Sequence, residues 1–461
     1  MASRSRVDVS AIIDNSRLGP FQISIFVLCF LCLAIDGYDV QSLGYVVPAL
    51  SADLGVARVD LGRVISAAPF GVLFGSIACS ILADRIGRRP VLIGATVFFA
   101  IMTLLTARAS TQTELLVVRA IGGIGMGAIM PNAVALVGEY SPKAHRVTIM
   151  MIVATGFTVG AALGGFVAAW LLPVFGWRSI FYFGAVVPLV IAFFMLLALP
   201  ESIQFLAVKK RQLAKLKKWL HRVDSTVPMG NDVEYWAGPN AAAPAAETAG
   251  SWRRVPFIAL FSDGLGPGTA LLWIINFMNL LNIYFLQGWL TLVITDLGVP
   301  EASAALVASM VQVGGVVGAF TLGWVVYRIG FVPVLTLCGL LGALNIALIG
   351  QPWVTTAGLF VVVFVAGLCV IGGQSAINAL SAVFYPTSQR ATGVGAGLGV
   401  GRVGAIIGPS LASVFIGYGW SLPDIFLAAA VPPLVLVACM LAWRALIGPA
   451  AASTHPEPVR H

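Results

Sequence analysis

Charge is what this sequence has least of. Only 10% of its 461 residues are Asp, Glu, Lys or Arg, while 59% are hydrophobic. A soluble domain carries about 25% charged residues, so too few are present to coat a soluble surface of this size. Alternation of polar and apolar residues in short segments is also missing, which argues against a transmembrane β-barrel. Histidine is absent from every long apolar run: His145, His221, His455 and His461 fall in loops or the tail. A proton held inside a membrane therefore falls to carboxylates. The six cysteines (Cys29, Cys32, Cys79, Cys338, Cys369, Cys439) sit within apolar runs and suggest no disulfide framework. Cys29-x-x-Cys32 has no neighbouring ligands and reads as small packing residues. No removable signal peptide is expected, because the first 20 residues are polar and the apolar stretch after them is too long for a signal core.

What remains is a series of long apolar stretches. Twelve reach membrane-spanning length: 21–43, 60–83, 90–108, 114–138, 147–172, 178–199, 267–294, 303–326, 331–349, 354–380, 391–418 and 421–446. Backbone in lipid must satisfy its own hydrogen bonds, so these are read as helices. The fold class is an all-α polytopic membrane protein. With the N-terminus inside, only Arg58, Arg63, Arg108 and Arg178 of the 27 Lys and Arg residues fall outside, and only Arg119 and Arg402 lie within spans. The positive-inside rule then puts both termini in the cytoplasm of a bacterial-type inner membrane. The net charge of +8 reflects that topology, and no nucleic-acid partner is expected.

The spans divide into two sixes. Residues 1–199 form an N-terminal bundle, 200–266 a cytoplasmic linker, and 267–461 a C-terminal bundle with its tail. In the linker, Ile203 to Val223 carries seven basic residues, with Leu213, Leu216 and Leu220 at helical spacing. That pattern predicts an amphipathic helix resting on the anionic inner leaflet. From about 236 to 250 the chain is rich in Ala, Gly and Pro and reads as a flexible connector. The halves repeat each other. Asp84-Arg85-Ile86-Gly87 after span 2 is matched 243 residues later by Tyr327-Arg328-Ile329-Gly330 after span 8. Pro142-x-x-x-Arg146 after span 4 is matched 244 residues later by Pro386-x-x-x-Arg390 after span 10. Such a repeat is the build of a secondary transporter whose site lies between the halves near mid-membrane.

Ala83-Asp84-Arg85-Ile86-Gly87-Arg88-Arg89 resembles the loop signature of the major facilitator superfamily, as does Arg119-x-x-x-Gly123-x-Gly125. Within it, Asp36-Gly37-Tyr38-Asp39 resembles the aromatic acid:proton symporters. So do Met130-Pro131-Asn132-Ala133 with Glu139-Tyr140-x-Pro142, Tyr284-Phe285-Leu286-x-x-Trp289-Leu290, and Gly401-Arg402-x-Gly404-Ala405-Ile406. The resemblance implies a monomeric porter that takes up a small aromatic carboxylate (benzoate, hydroxybenzoate or phenoxyacetate class) with protons. Three departures stand out: Ser80 replaces a usual Gly, Tyr327 replaces the acid of the second loop, and Ala161 stands where proton-driven drug antiporters carry Pro. A porter for a sugar, for a non-aromatic organic acid or for a drug remains the alternative. A sensor would need a signalling domain, and an enzyme a nucleophile–base or metal cluster. Neither is visible, so no catalytic residue and no cofactor is expected.

Charges inside a bilayer are costly and mark function. At about 1.5 Å per residue, Asp36 and Asp39 sit about 22 and 27 Å up span 1, and Arg119 lies roughly 8 Å below the outer boundary of span 4. An ion pair of Arg119 with one aspartate is expected. Burial favours the protonated acid and a guanidinium the ionised one, so this group is assigned to proton coupling. Arg402, about 17 Å into span 11, is assigned to the substrate carboxylate, which a guanidinium binds bidentately. Asn276, Asn279 and Gln287 share a face of span 7, and Gln374 and Asn378 a face of span 10. They either bind ring substituents or join helices. Gln312 stands isolated in span 8. Trp273, Tyr284 and Trp289 are candidates to stack on a ring. Asp84, Arg85, Arg88, Arg89, Glu139 and Arg146 are assigned to a charge network that closes the inward gate and breaks on rocking. The glycine series 123–127 and 393–399 lack a preceding strand and read as close helix packing rather than nucleotide loops.

Overall fold

A computed structural model describes residues 5–209, 213–224, 233–236, 260–262, 264–386 and 389–447. Twelve helices in it are long and apolar enough to cross a membrane. Spans 1–6 are Pro20–Leu54, Arg58–Ile86, Arg88–Arg108, Gln112–Tyr140, Arg146–Phe175 and Arg178–Ala198. Spans 7–11 are Gly266–Asp296, Glu301–Ile329, Phe331–Ile349, Thr356–Phe384 and Arg390–Gly417. Span 12 runs Leu422–Leu446 but is broken, with helices Leu422–Ala429 and Val431–Leu446. The break follows from Pro432-Pro433. Proline has no N–H, so Pro433 cannot bond the carbonyl four residues back. Asn282 of span 7 supplies the missing donor, its Nδ2 lying 2.7 Å from the Ala429 carbonyl oxygen.

The internal repeat has a backbone counterpart. Gly87 ends span 2 with φ of 106° and Gly330 ends span 8 with φ of 86°. Both conformations are closed to residues with a Cβ, and at Gly87 a Cβ would also strike the Glu201 carboxylate. Span 2 packs on span 11, span 5 on span 8 and span 1 on span 7, the pairing that a two-fold related repeat produces.

One face of the protein carries the start of span 1 and the end of span 12; it is called the terminal face here, the other the opposite face. Toward the opposite face one apolar core runs through both halves, from Tyr45 and Leu50 to Trp289, Val293 and Ala308. Toward the terminal face the cores are separate, one holding Leu92, Leu136 and Tyr140 and the other Leu335, Leu380 and Trp443. Cross-half hydrogen bonds follow the same division. Arg58 makes a bidentate pair with Asp296 at 2.6 and 2.9 Å. Gly62 N donates to Ser413 Oγ at 2.8 Å, and Ser66 Oγ donates to the Ile406 carbonyl at 2.7 Å. Among the described residues, the cross-half bond nearest the terminal face joins Arg402 to Ser76. Among the described residues, the halves are thus joined from the opposite face to mid-membrane and not nearer the terminal face.

Where it is described, the linker packs its apolar residues on the N-terminal half. It forms two helices, Ile203–Lys209 and Leu213–Val223. Leu216 and Leu220 are fully buried in the core of the N-terminal half, and Trp219 stacks on Phe21 of span 1 at 5.6 Å. Leu213 alone of the three leucines is exposed. The leucine spacing thus marks a face that protein covers at Leu216 and Leu220. The strand Val233–Trp236 pairs in parallel with Ser5–Asp8, tying the linker to the N-terminal segment. Lys210, Arg211, most of the expected flexible connector and the tail beyond 447 lie outside the described residues.

Candidate functional site

Span 1 carries two aspartates because its backbone can come unusually close to span 5. A Cβ on Gly37 would stand 1.8 Å from the Phe157 carbonyl oxygen, and one on Gly160 1.7 Å from that of Ala34. Only glycine permits this approach, which turns Asp36 and Asp39 inward. Tyr38 Oη donates to the Ile180 carbonyl at 2.9 Å and pins the same turn to span 6. Span 4 is positioned likewise, with Gly123 and Gly127 set against span 2 and Gly125 against Phe98 of span 3.

The expected ion pair is present, and the structure distinguishes the aspartates. Arg119 Nη1 lies 2.7 Å from Asp39 Oδ2, and Thr103 Oγ1 donates to Asp39 Oδ1 at 3.0 Å. Both charged side chains are buried, at 4% and 1% exposure. Asp39 therefore has a cation on one oxygen and a hydroxyl on the other. Asp36 is also buried, yet its Oδ1 has no hydrogen-bond partner.

Arg402 is half-buried, and its hydrogen bond goes to the Ser76 hydroxyl of the other half. Among the described residues no carboxylate pairs with it. Tyr284 of span 7 faces Val40, Gly44 and Ile65 of the N-terminal half. A small cavity, about 30 Å³, opens beside it, lined by Val40, Gly44, Ile65, Arg119, Tyr284 and Gln287 among others. Arg402 is not in that lining.

The amides divide into two groups. Asn276, Asn279, Gln374 and Asn378 form one network: Asn279 Nδ2 donates to Gln374 Oε1 at 2.8 Å, and Gln374 Nε2 donates to Asn276 Oδ1 at 3.1 Å and Asn378 Oδ1 at 3.0 Å. These groups satisfy one another and join span 7 to span 10, the helix-joining role polar residues take in membranes. Gln287 stands apart, on the cavity. Gln312 is not isolated, since its Nε2 donates to Gln41 Oε1 at 3.2 Å, and Gln41 Nε2 in turn donates to the Gln287 carbonyl at 3.2 Å. Of the three aromatic candidates, Tyr284 alone lines the cavity. Trp289 is fully buried, donating to the Pro409 carbonyl at 3.0 Å, and Trp273 packs edge-on against Phe261.

The loop charges form a network within one half, not across two. Arg88 pairs with Glu139 at 2.8 Å, and Ser202 Oγ donates to the same carboxylate at 2.5 Å. Glu201 Oε1 accepts from the backbone N–H groups of Arg88 and Arg89 at 2.9 and 3.1 Å, where it meets the positive end of span 3. Arg89 Nη2 donates to the Leu196 carbonyl, and Arg146 pairs with Asp14. Every partner lies in the N-terminal half or its adjoining segments. Asp84 and Arg85 are exposed and unpaired among the described residues. Sequence reasoning missed Glu201, Asp14 and the Arg58–Asp296 pair. One signal existed for the last: Asp296 stands 243 residues after Asp53, the repeat offset. Asp53 is paired within its own half, to Arg178 at 2.5 Å.

Comparison with known proteins adds family and fold. The description "Major Facilitator Superfamily" matches residues 29–262 and 272–461. The chain is 37% identical to a 4-hydroxybenzoate transporter of Pseudomonas aeruginosa, covering 95% of each. It is 36% identical to a gallate transporter of Pseudomonas putida, again over 95% of each. Its fold is similar to that of the xylose transporter of E. coli in an inward open conformation, with TM-score 0.69, 17% identity, and 94% and 98% of the two chains covered.

Proposed function

This chain belongs to the major facilitator superfamily, and from that premise we propose that it imports a small aromatic carboxylate in symport with protons. It does so as a monomer, by alternating access, in a bacterial inner membrane. Positive-inside bias assigns the terminal face to the cytoplasm, so the state described is inward-facing. Relatives named for 4-hydroxybenzoate and gallate transport support the substrate class.

The observation that carries the reading is Arg402, a guanidinium near mid-membrane with no carboxylate partner among the described residues. A charge in that position is costly unless an anion meets it. A substrate carboxylate supplies one. Asp36 is the proton carrier in this reading, because Asp39 is held by Arg119 and Thr103 while Asp36 keeps a free oxygen. A proton on Asp36 together with an anion on Arg402 adds no net charge to the central site. The loaded carrier then rocks without moving unbalanced charge through a low dielectric. Asp84 and Arg85, unpaired here, engage when the cytoplasmic side closes.

The test is uptake into proteoliposomes under an inward proton gradient. The panel is benzoate, 4-hydroxybenzoate, protocatechuate, phenoxyacetate, a hexose and a cationic drug. Wild type accumulates an aromatic acid and loses that accumulation with a protonophore. Asp36→Asn abolishes accumulation but retains exchange of substrate across the membrane. Gradient-driven accumulation by Asp36→Asn at the wild-type level refutes its role, and movement of only the hexose or drug refutes the substrate class.

A further inference from the structure

Gln287 lines the central cavity beside Tyr284 and Arg119. Its side chain is 8% exposed, and its Oε1 is out of water without a hydrogen-bond partner. Its backbone is held in place. Its backbone carbonyl accepts from Gln41, and a Cβ on Gly44 of span 1 would stand 1.9 Å from that oxygen, so span 1 is pressed against it. The cavity wall around it is apolar, with Val40, Leu43, Ile65 and Ala68. Such a wall suits the faces of an arene. Arg119, which also lines the cavity, has a buried Nε–H with no partner.

We propose that Gln287 is a specificity-determining residue that selects ring-hydroxylated aromatic acids over unsubstituted ones. The proposal rests on the aromatic-acid reading above. A phenolic hydroxyl both donates and accepts, and so does a primary amide: the hydroxyl donates to Oε1 and accepts from Nε2. Reversing the amide leaves the same pair of functions. A carboxylate only accepts and cannot satisfy Oε1, so Gln287 does not hold the acid group. Tyr284, one helical turn from Gln287, lines the same cavity. Unsubstituted benzoate leaves the amide oxygen buried and unpaired. The hydroxy acid relieves that orphaned acceptor and benzoate does not, a difference of roughly 10- to 100-fold in affinity.

The measurement is equilibrium binding of 4-hydroxybenzoate, 4-methoxybenzoate and benzoate to the full-length protein in liposomes. Wild type prefers the hydroxy acid by roughly 10- to 100-fold. The methoxy acid keeps the oxygen but lacks the O–H donor, and it falls to the benzoate level or below. In Gln287→Leu the preference for the hydroxy acid collapses toward unity. Equal wild-type affinity for the hydroxy and methoxy acids overturns the proposal, and needs no variant. So does a Gln287→Leu protein that weakens both the hydroxy acid and benzoate by one factor, because that marks a structural role. Binding of none of the three, with binding of another solute, overturns the aromatic-acid reading itself.

Discussion

Replacing Asp296 with Asn removes the ion pair that fastens the two halves on the opposite face. Arg58 and Asp296 meet in bidentate geometry at 2.6 and 2.9 Å, with side chains 50% and 32% exposed. Exposure holds the pair near the worth of a surface salt bridge, about 0.5–1 kcal/mol. The neighbouring bonds of Gly62 to Ser413 and of Ser66 to Ser410 survive the change, so the face is weakened but not released. If the pair exists only when that face is closed, its loss shifts the ratio of states by about 2- to 5-fold, at ~1.4 kcal/mol per tenfold. Spin labels at Thr113 and Trp353, exposed on the opposite face of the two halves, read the ratio by double electron–electron resonance. The open-face distance gains population by that factor in Asp296→Asn. Raising salt from physiological to about 1 M, which shortens the screening length from ~8 to ~3 Å, reproduces part of the effect in wild type only. Exchanging the charges, Arg58→Asp with Asp296→Arg, restores the original ratio. An unchanged distance distribution in Asp296→Asn refutes the fastening role, and a shift that persists in the exchanged protein refutes its electrostatic origin.

Three further outcomes follow from the geometry. Asp39→Asn leaves Arg119 buried without a counter-charge, which costs about 3–5 kcal/mol; it appears as a lowered unfolding temperature in detergent, and an unchanged temperature with normal uptake contradicts the pairing. Arg402→Ala weakens aromatic-acid binding by about 10- to 100-fold, the loss of a charged hydrogen bond, while Arg402→Lys retains part of the affinity; equal dissociation constants in all three proteins remove Arg402 from the site. Gly37→Ala drives a methyl into the Phe157 carbonyl and costs about 1–3 kcal/mol through overpacking. Its folded yield and transport fall together, and wild-type behaviour in both assays argues against the close approach of spans 1 and 5.

The twelve spans were legible because hydrocarbon permits few alternatives to a long apolar helix. A pair of Arg119 with one of the two aspartates was legible for a related reason: opposite charges at one depth of neighbouring helices have few other partners, but which aspartate it takes was not. Uncharged polar residues gave weaker signals. Ser76 and Gln41 sit in apolar runs like many others, and which neighbour each meets depends on how the halves dock. Glu201 and Asp14 escaped notice because their partners are brought near only when the linker and the N-terminal segment fold back. The linker's leucine spacing identified an apolar face, but periodicity is the same whether lipid or protein covers it.

The break in span 12 also bears on how the C-terminal half can move. Among the described residues, the Ala429 carbonyl is answered by Asn282. Pulling span 12 away from span 7 would strand a bare carbonyl in hydrocarbon, a penalty of several kcal/mol that neither helix can relieve alone. A fault that weakens one helix therefore welds two together. The two prolines, which forbid span 12 from standing as a continuous rod, make it travel with the helix that faces the cavity.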